Sequence, residues 1–173
     1  MLEPPHVAFR DSVHPSDPVA IQRIVESTSF FRPDEVEVAV ELAQERLAKG
    51  EASGYFFVFA EFDGGVVGYA CYGPIACTLG SFDLYWLAVD QAHQGRGLGR
   101  LLVSECERRI RLQGGRRIYI ETSGRPQYKP TRRFYEHCDY QTVAVLADFY
   151  DSGDDKVILV KRIDEVAAGV KAQ

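Results

Sequence analysis

Seven residues, Gln94 Gly95 Arg96 Gly97 Leu98 Gly99 Arg100, constrain this chain more than any other stretch. Three glycines alternate with bulky residues between the apolar run Leu84–Val89 and a stripe of Leu98, Leu101, Leu102, Cys106 and Ile110 at helical spacing. A loop that turns directly from a strand into a helix leaves the first amides of the helix without partners, and residues lacking a β-carbon let the backbone approach a ligand closely. Arg96 and Arg100 add full positive charge to the positive end of the helix dipole. The unit reads as an anion site shaped for a pyrophosphate.

Three other readings compete. A P-loop requires Lys followed by Ser or Thr after its last glycine, and Arg100 Leu101 stands there instead. A dinucleotide fingerprint requires Gly-x-Gly-x-x-Gly, whereas this loop runs Gly-x-Gly-x-Gly. A turn that merely permits close packing would keep the glycines but gives no reason for two arginines.

The remaining pattern predicts one mixed α/β domain over residues 5–163 and a loose tail over 164–173. A strand at His6–Arg10 precedes a helix that begins near Pro15 and runs to about Thr28, burying Ile21, Ile24 and Val25. A second helix opens at Pro33 and closes at Gly50, with Val36, Val40, Ala43 and Leu47 along one face. Tyr55–Phe62 and Val66–Ile75 form a hairpin around Asp63 Gly64 Gly65. Ser81–Val89, the glycine loop, its helix and Arg117–Glu121 make a parallel crossover unit. A shorter helix ends at Cys138, and two strands, Tyr140–Phe149 and Lys156–Ile163, flank the acidic turn Asp151–Asp155, read as solvated.

Composition removes several function classes. The longest apolar runs fall well short of the ~20 residues that span a bilayer, and Met1–Pro5 carries no basic, secretory-type leader, so a cytoplasmic protein is expected. A net charge of -5 argues against nucleic acid as a partner. Cys71, Cys77, Cys106 and Cys138 lack metal-binding spacing and read as free, mostly buried thiols, with no metal expected.

Gln94–Gly99 resembles motif A of the GNAT superfamily of N-acetyltransferases, whose signature is Gln/Arg-x-x-Gly-x-Gly/Ala, and the order of elements from His6 to Ile163 is similar as well. The resemblance implies a mostly antiparallel seven-stranded sheet with one splayed parallel pair and about four helices. It implies acetyl-CoA as cosubstrate, gripped by Gln94–Arg100, with Leu87, Ala88 and Val89 pairing along the pantetheine arm and Tyr128 and Thr131 nearby. Tyr128 stands where many members carry Asn, which departs from the pattern.

The implied reaction is direct attack of a neutral primary amine, on a small molecule or peptide, upon the thioester, through a tetrahedral intermediate. Thr131–Glu136 resembles part of motif B, which makes Tyr135 the proton donor to the departing sulfur. With reference values of about 10 for tyrosine and 8.5 for a thiol, that transfer is uphill by roughly 2 kcal/mol in water. It needs a desolvated sulfur, or else Tyr135 only hydrogen-bonds it. Asp83 is a candidate base and Glu121 a weaker one, either directly or through water. Phe30, Phe31 and Asp148 lie in segments that hold the acceptor in the family, Tyr85 lies within reach of the thioester, and a homodimer is a family expectation. The alternatives are a non-catalytic acyl-CoA sensor and an acyltransferase that uses another acyl-CoA or a hydroxyl acceptor.

Overall fold

The computed structural model describes residues 7–164, so the expected start of the first strand at His6 and nearly all of the expected tail lie outside the described residues. In order, the elements are β1 (Ala8–Arg10), α1 (Asp17–Ser27), α2 (Pro33–Lys49), β2 (Phe56–Phe62), β3 (Gly65–Pro74), β4 (Ser81–Val89), α3 (Leu98–Leu112), β5 (Arg117–Ser123), α4 (Lys129–Glu136), β6 (Gln141–Asp151) and β7 (Asp154–Arg162). The strands form one seven-stranded mixed sheet in the order β1-β2-β3-β4-β5-β7-β6. β4 and β5 run parallel, whereas β1–β2, β2–β3, β5–β7 and β6–β7 are antiparallel. This is the fold class that the sequence pattern implies.

The chain condenses as two compact units, and β4 and α3 contribute residues to both. The first holds the described residues up to Gly73 together with Leu84–Cys106. Its core is built from Ile21, Ile24 and Val25 of α1 and from Val36, Ala39 and Ala43 of α2. These pack on the alternating residues Phe57, Phe59, Tyr69 and Cys71 of the β2–β3 hairpin. The register Phe57↔Cys71 and Phe59↔Tyr69 brings those rings to one face, where Phe57 and Phe59 stack at 5.6 Å. The hairpin closes through Asp63 and Gly64, at φ 49° and 76°, as a tight two-residue turn between right-twisted strands requires. α1 is tied to β1 at its start: Arg10 forks onto the buried Asp17 carboxylate at 2.8 and 2.9 Å.

The second unit comprises Pro74–Asp83 and the described chain from Glu107 onward. β5 lies between β4 and β7, and its apolar residues Ile118 and Ile120 are buried with Leu159 of β7. α4 ends in a left-handed residue, Asp139 at φ 68°, with the Tyr140 amide donating back to Tyr135 O at 3.0 Å, a helix end that Asp can adopt in place of Gly.

Three sequence expectations are corrected. Leu47 and Leu101 are 40% and 47% exposed, on the rims of their helices rather than within the buried stripes. The acidic turn is shorter than expected, because β6 runs to Asp151 and β7 begins at Asp154. Asp154 is buried instead of solvated: it accepts from Ser123 Oγ and pairs with Arg125 Nε at 3.1 Å. None of the four cysteines is in a disulfide among the described residues; three are buried and Cys77 is exposed. Among the described residues no helix is long and apolar enough to cross a membrane.

Candidate functional site

In the first unit, β4 hands the chain to the glycine loop through a firmly anchored corner. The Asp90 amide donates to Val67 O at 2.8 Å, and its carboxylate caps the next turn by accepting from Ala92 N at 3.0 Å. Arg23 of α1 pairs with the same carboxylate and donates to Val66 O at 2.7 Å. Burial pushes the Asp90 carboxyl upward, but the Ala92 amide, His93 and Arg23 together hold it below the usual carboxylate range. Gln91 N reaches Ser27 Oγ at 3.1 Å, and Gln94 Nε2 reaches Val89 O at 3.0 Å. Sequence reasoning missed Asp90 and Arg23. The only available signal was an Asp two residues before Ala92 at a strand end, a common turn-capping pattern.

Beyond that corner, Gly95 and Gly97 take φ 74° and 80°. A β-carbon at either position would meet no atom within 4 Å, so the loop's backbone faces open space rather than packed protein. Within the described residues, the amides of Gly95, Arg96, Gly97, Leu98 and Gly99 have no hydrogen-bond acceptor. Leu98 anchors the helix start in the core while Arg96 and Arg100 are exposed. Open amides, a helix N-terminus and two surface guanidiniums fit a pyrophosphate.

Also in this unit, Leu87 and Val89 are half-buried and Ala88 is buried. The parallel ladder between β4 and β5 comprises three pairs, Ser81↔Arg117 to Asp83↔Tyr119, so Leu87–Val89 take no partner from β5. Phe30 and Phe31 meet edge to face at 5.4 Å, Phe31 lies 5.0 Å from Trp86, and Tyr85 contacts Tyr55 at 5.6 Å. Phe31 and Trp86 pack against the core, while Tyr85 is 40% exposed.

The second unit carries the titratable groups. Asp83 and Tyr119 are register partners, so alternation puts Asp83, Tyr119 and Glu121 on one face of the sheet. Burial raises the Asp83 carboxyl above its ordinary value, Glu121 raises it further, and Lys156 opposes. Glu121 is not an isolated candidate base, because its carboxylate lies 2.6 Å from Lys156 Nζ. Tyr150 stands over the same group. Burial, with Glu121, Asp154 and Tyr128 around it, pushes its hydroxyl up to about 12.

Tyr135 is buried on α4 against Phe134 and Tyr140, with ring centroids at 5.1 and 5.8 Å. Tyr128 and Thr131 are half-buried at the entrance to that helix. Asp148 is exposed at φ 51°, and its carboxylate accepts the Gly153 amide at 2.7 Å, which gives it a turn-forming job. Lys156 and Tyr150 escaped sequence reasoning because one reads as the polar edge of a turn and the other as one more strand aromatic.

Residues 21–140 match the model of the acetyltransferase (GNAT) family, and the chain belongs to that family. It is 31% identical over 111 residues to an uncharacterised N-acetyltransferase of Methanocaldococcus jannaschii, a match spanning 61% of this chain and 65%, just under two thirds, of that relative's length. It is 51% identical to a Desulfovibrio desulfuricans protein assigned to the GNAT family of acetyltransferases, whose crystal structure covers 91% of this chain and 99% of its own at a TM-score of 0.89. An aminoglycoside 6'-N-acetyltransferase solved with coenzyme A shares the fold at a TM-score of 0.74, with 18% identity, 92% of this chain and 97% of its own covered.

Two expectations follow from this geometry. Asp90→Ala removes the turn cap and the Arg23 partner without touching a ligand, and should weaken coenzyme A binding about three- to tenfold by titration calorimetry while costing about 1–2 kcal/mol of stability. Asp83→Asn should slow turnover at least tenfold yet leave the protein as stable at pH 7, or more so. The raised Asp83 carboxyl binds its proton more tightly folded than unfolded, so its contribution is favourable below the unfolded pKa and lost as pH rises through the folded one. Thermal melts at pH 4 and pH 7 check the sign: the variant's advantage must appear at the higher pH.

Proposed function

We propose that this protein is an N-acetyltransferase that uses acetyl-CoA to acetylate a primary amine on a small molecule or peptide. The observation that carries the reading is the row of acceptorless amides from Gly95 to Gly99, beside Arg96 and Arg100 at the start of α3. Those amides and guanidiniums bind the pyrophosphate, and the backbone of Leu87, Ala88 and Val89, which takes no partner from β5, pairs with the pantetheine arm. Tyr128 and Thr131 flank the cosubstrate. Acetyl-CoA supplies an activated acetyl thioester.

The residues of the chain then manage protons. An alkyl ammonium of pKa about 10.4 is neutral in only about one molecule in 2,500 at pH 7, so the acceptor must lose a proton to react. Asp83 is the base in this reading, since its carboxylate has no ion pair among the described residues and its raised proton affinity brings it closer to the amine. Glu121, already paired with Lys156, is the lesser base. Tyr135, buried on α4, donates a hydrogen bond or a proton to the departing sulfur. Phe30, Phe31 and Tyr85 wall the acceptor's apolar part. Asp148, one of whose carboxylate oxygens accepts the Gly153 amide, is the remaining candidate contact for the acceptor.

A panel of primary amines with acetyl-CoA, read as free thiol release, tests the reading. Acceptor-dependent release that disappears in Tyr135→Phe and Asp83→Asn supports it. Tight coenzyme A binding with no release for any amine would make the protein an acyl-CoA sensor instead.

A further inference from the structure

Asp83 and Glu121 lie on one face of the sheet, yet the fold treats them differently. Lys156 enters this face from β7, where its register partner is Ser123, which places it diagonal to Glu121 two residues earlier on β5. Its Nζ sits 2.6 Å from Glu121 Oε2, 3.7 Å above the Phe149 ring and 5.6 Å from the Tyr150 ring, with the side chain only 12% exposed. A register shift between Leu146 and Asp151 turns Phe149 and Tyr150 out of the β6 ladder toward this ammonium. A cation held by one carboxylate and two rings is locked in place. The Asp83 carboxylate forms no hydrogen bond or ion pair with any described residue.

We propose that Lys156 is a positioning residue: clamped between Glu121 and the rings of Phe149 and Tyr150, it sequesters one of the two carboxylates on this face and leaves Asp83 as the one available to the acceptor amine. The inference rests on Asp83 being the base. It adds that the choice between the two carboxylates is made by a lysine from a different strand.

The groups facing Asp83 define what should move it. β5 presents Tyr119 and Glu121 on the face that carries Asp83, and β7 presents Lys156; Tyr150 of β6 stands by Glu121 together with Tyr128 and the Arg125-paired Asp154. Among them Lys156 is the cation that lowers Asp83 and Glu121 the anion that raises it. Neutralising each should therefore displace Asp83 in opposite directions, which simple loosening of the fold would not do.

The test is a carboxyl carbon NMR titration of aspartate-labelled protein, with the Asp83 signal assigned by its loss in Asp83→Asn, alongside pH profiles of kcat/KM. Lys156→Met and Lys156→Gln should each move the Asp83 midpoint up by about one unit, Glu121→Gln should move it down, and Lys156→Arg should hold it near the parent value. The acid limb of kcat/KM should follow, giving about tenfold lower values on the acid side for the two neutral variants and rescue by arginine. If the midpoint stays within about 0.2 units of the parent in both neutral variants while circular dichroism reports a native fold, the inference is overturned. If the midpoints move as stated but the acid limb is unchanged in every variant, Asp83→Asn included, Lys156's hold on the pair stands and it is Asp83 as base that fails.

Discussion

Gly97→Glu is expected to weaken coenzyme A binding by more than about 100-fold while leaving a folded protein. At φ 80° any side chain is strained, at about 1–2 kcal/mol for the left-handed conformation. A β-carbon there meets no protein atom within 4 Å, so strain is the whole cost to folding. The cost to binding is separate and larger. The new carboxylate projects into the space faced by the open amides of Gly95–Gly99, where a pyrophosphate would lie, and adds negative charge at the helix N-terminus that should attract it. Titration calorimetry with coenzyme A reads the affinity, and a melt within a few degrees of the parent confirms the fold. Unchanged affinity would mean that this loop is not the pyrophosphate site.

Glu107→Ala should be the most destabilising of the single changes considered, at about 3–5 kcal/mol, without involving any ligand. Glu107 is a buried residue of α3, and Lys161 of β7 donates to both of its carboxylate oxygens at 2.9 and 3.0 Å and to Cys138 O at 2.9 Å. Arg111, one turn on, lies 3.8 Å from the same carboxylate and donates through Nε to Ile163 O at 2.9 Å. These bonds join α3, the end of α4 and the last strand in the second unit. Truncating Glu107 leaves an ammonium with one carbonyl in a site 21% exposed, and the penalty comes from that uncompensated charge. Glu107→Leu combined with Lys161→Met should recover most of the loss, since the desolvation of both ions disappears with them. Urea denaturation of the parent, the single variants and the double variant measures the coupling; simple additivity would refute it.

Local chemistry explains what could be read from the chain. The two-residue turn at Asp63 Gly64, the proline-led start of α2 and the left-handed glycines before α3 each depend on neighbours a few positions away, so their residue types announce them. Helical stripes were less certain at their margins. Leu101 lies about 60° around α3 from Leu98, and that angle moves a leucine from the core to the rim. Asp154 shows the same limit in polar form, since only the fold brings Ser123 and Arg125 against it.

By itself, then, the sequence determined the strand, glycine loop and helix that mark the family, together with the order of the elements around them, because backbone preference and hydrophobic period act over short separations. Tertiary structure alone decided which charges meet. Lys156 reaches Glu121 rather than Asp83, Arg23 reaches Asp90, and Lys161 reaches Glu107 through strand register and burial between segments far apart in the chain. A carboxylate's proton affinity depends on such neighbours and on lost water, and neither is written beside it in the sequence.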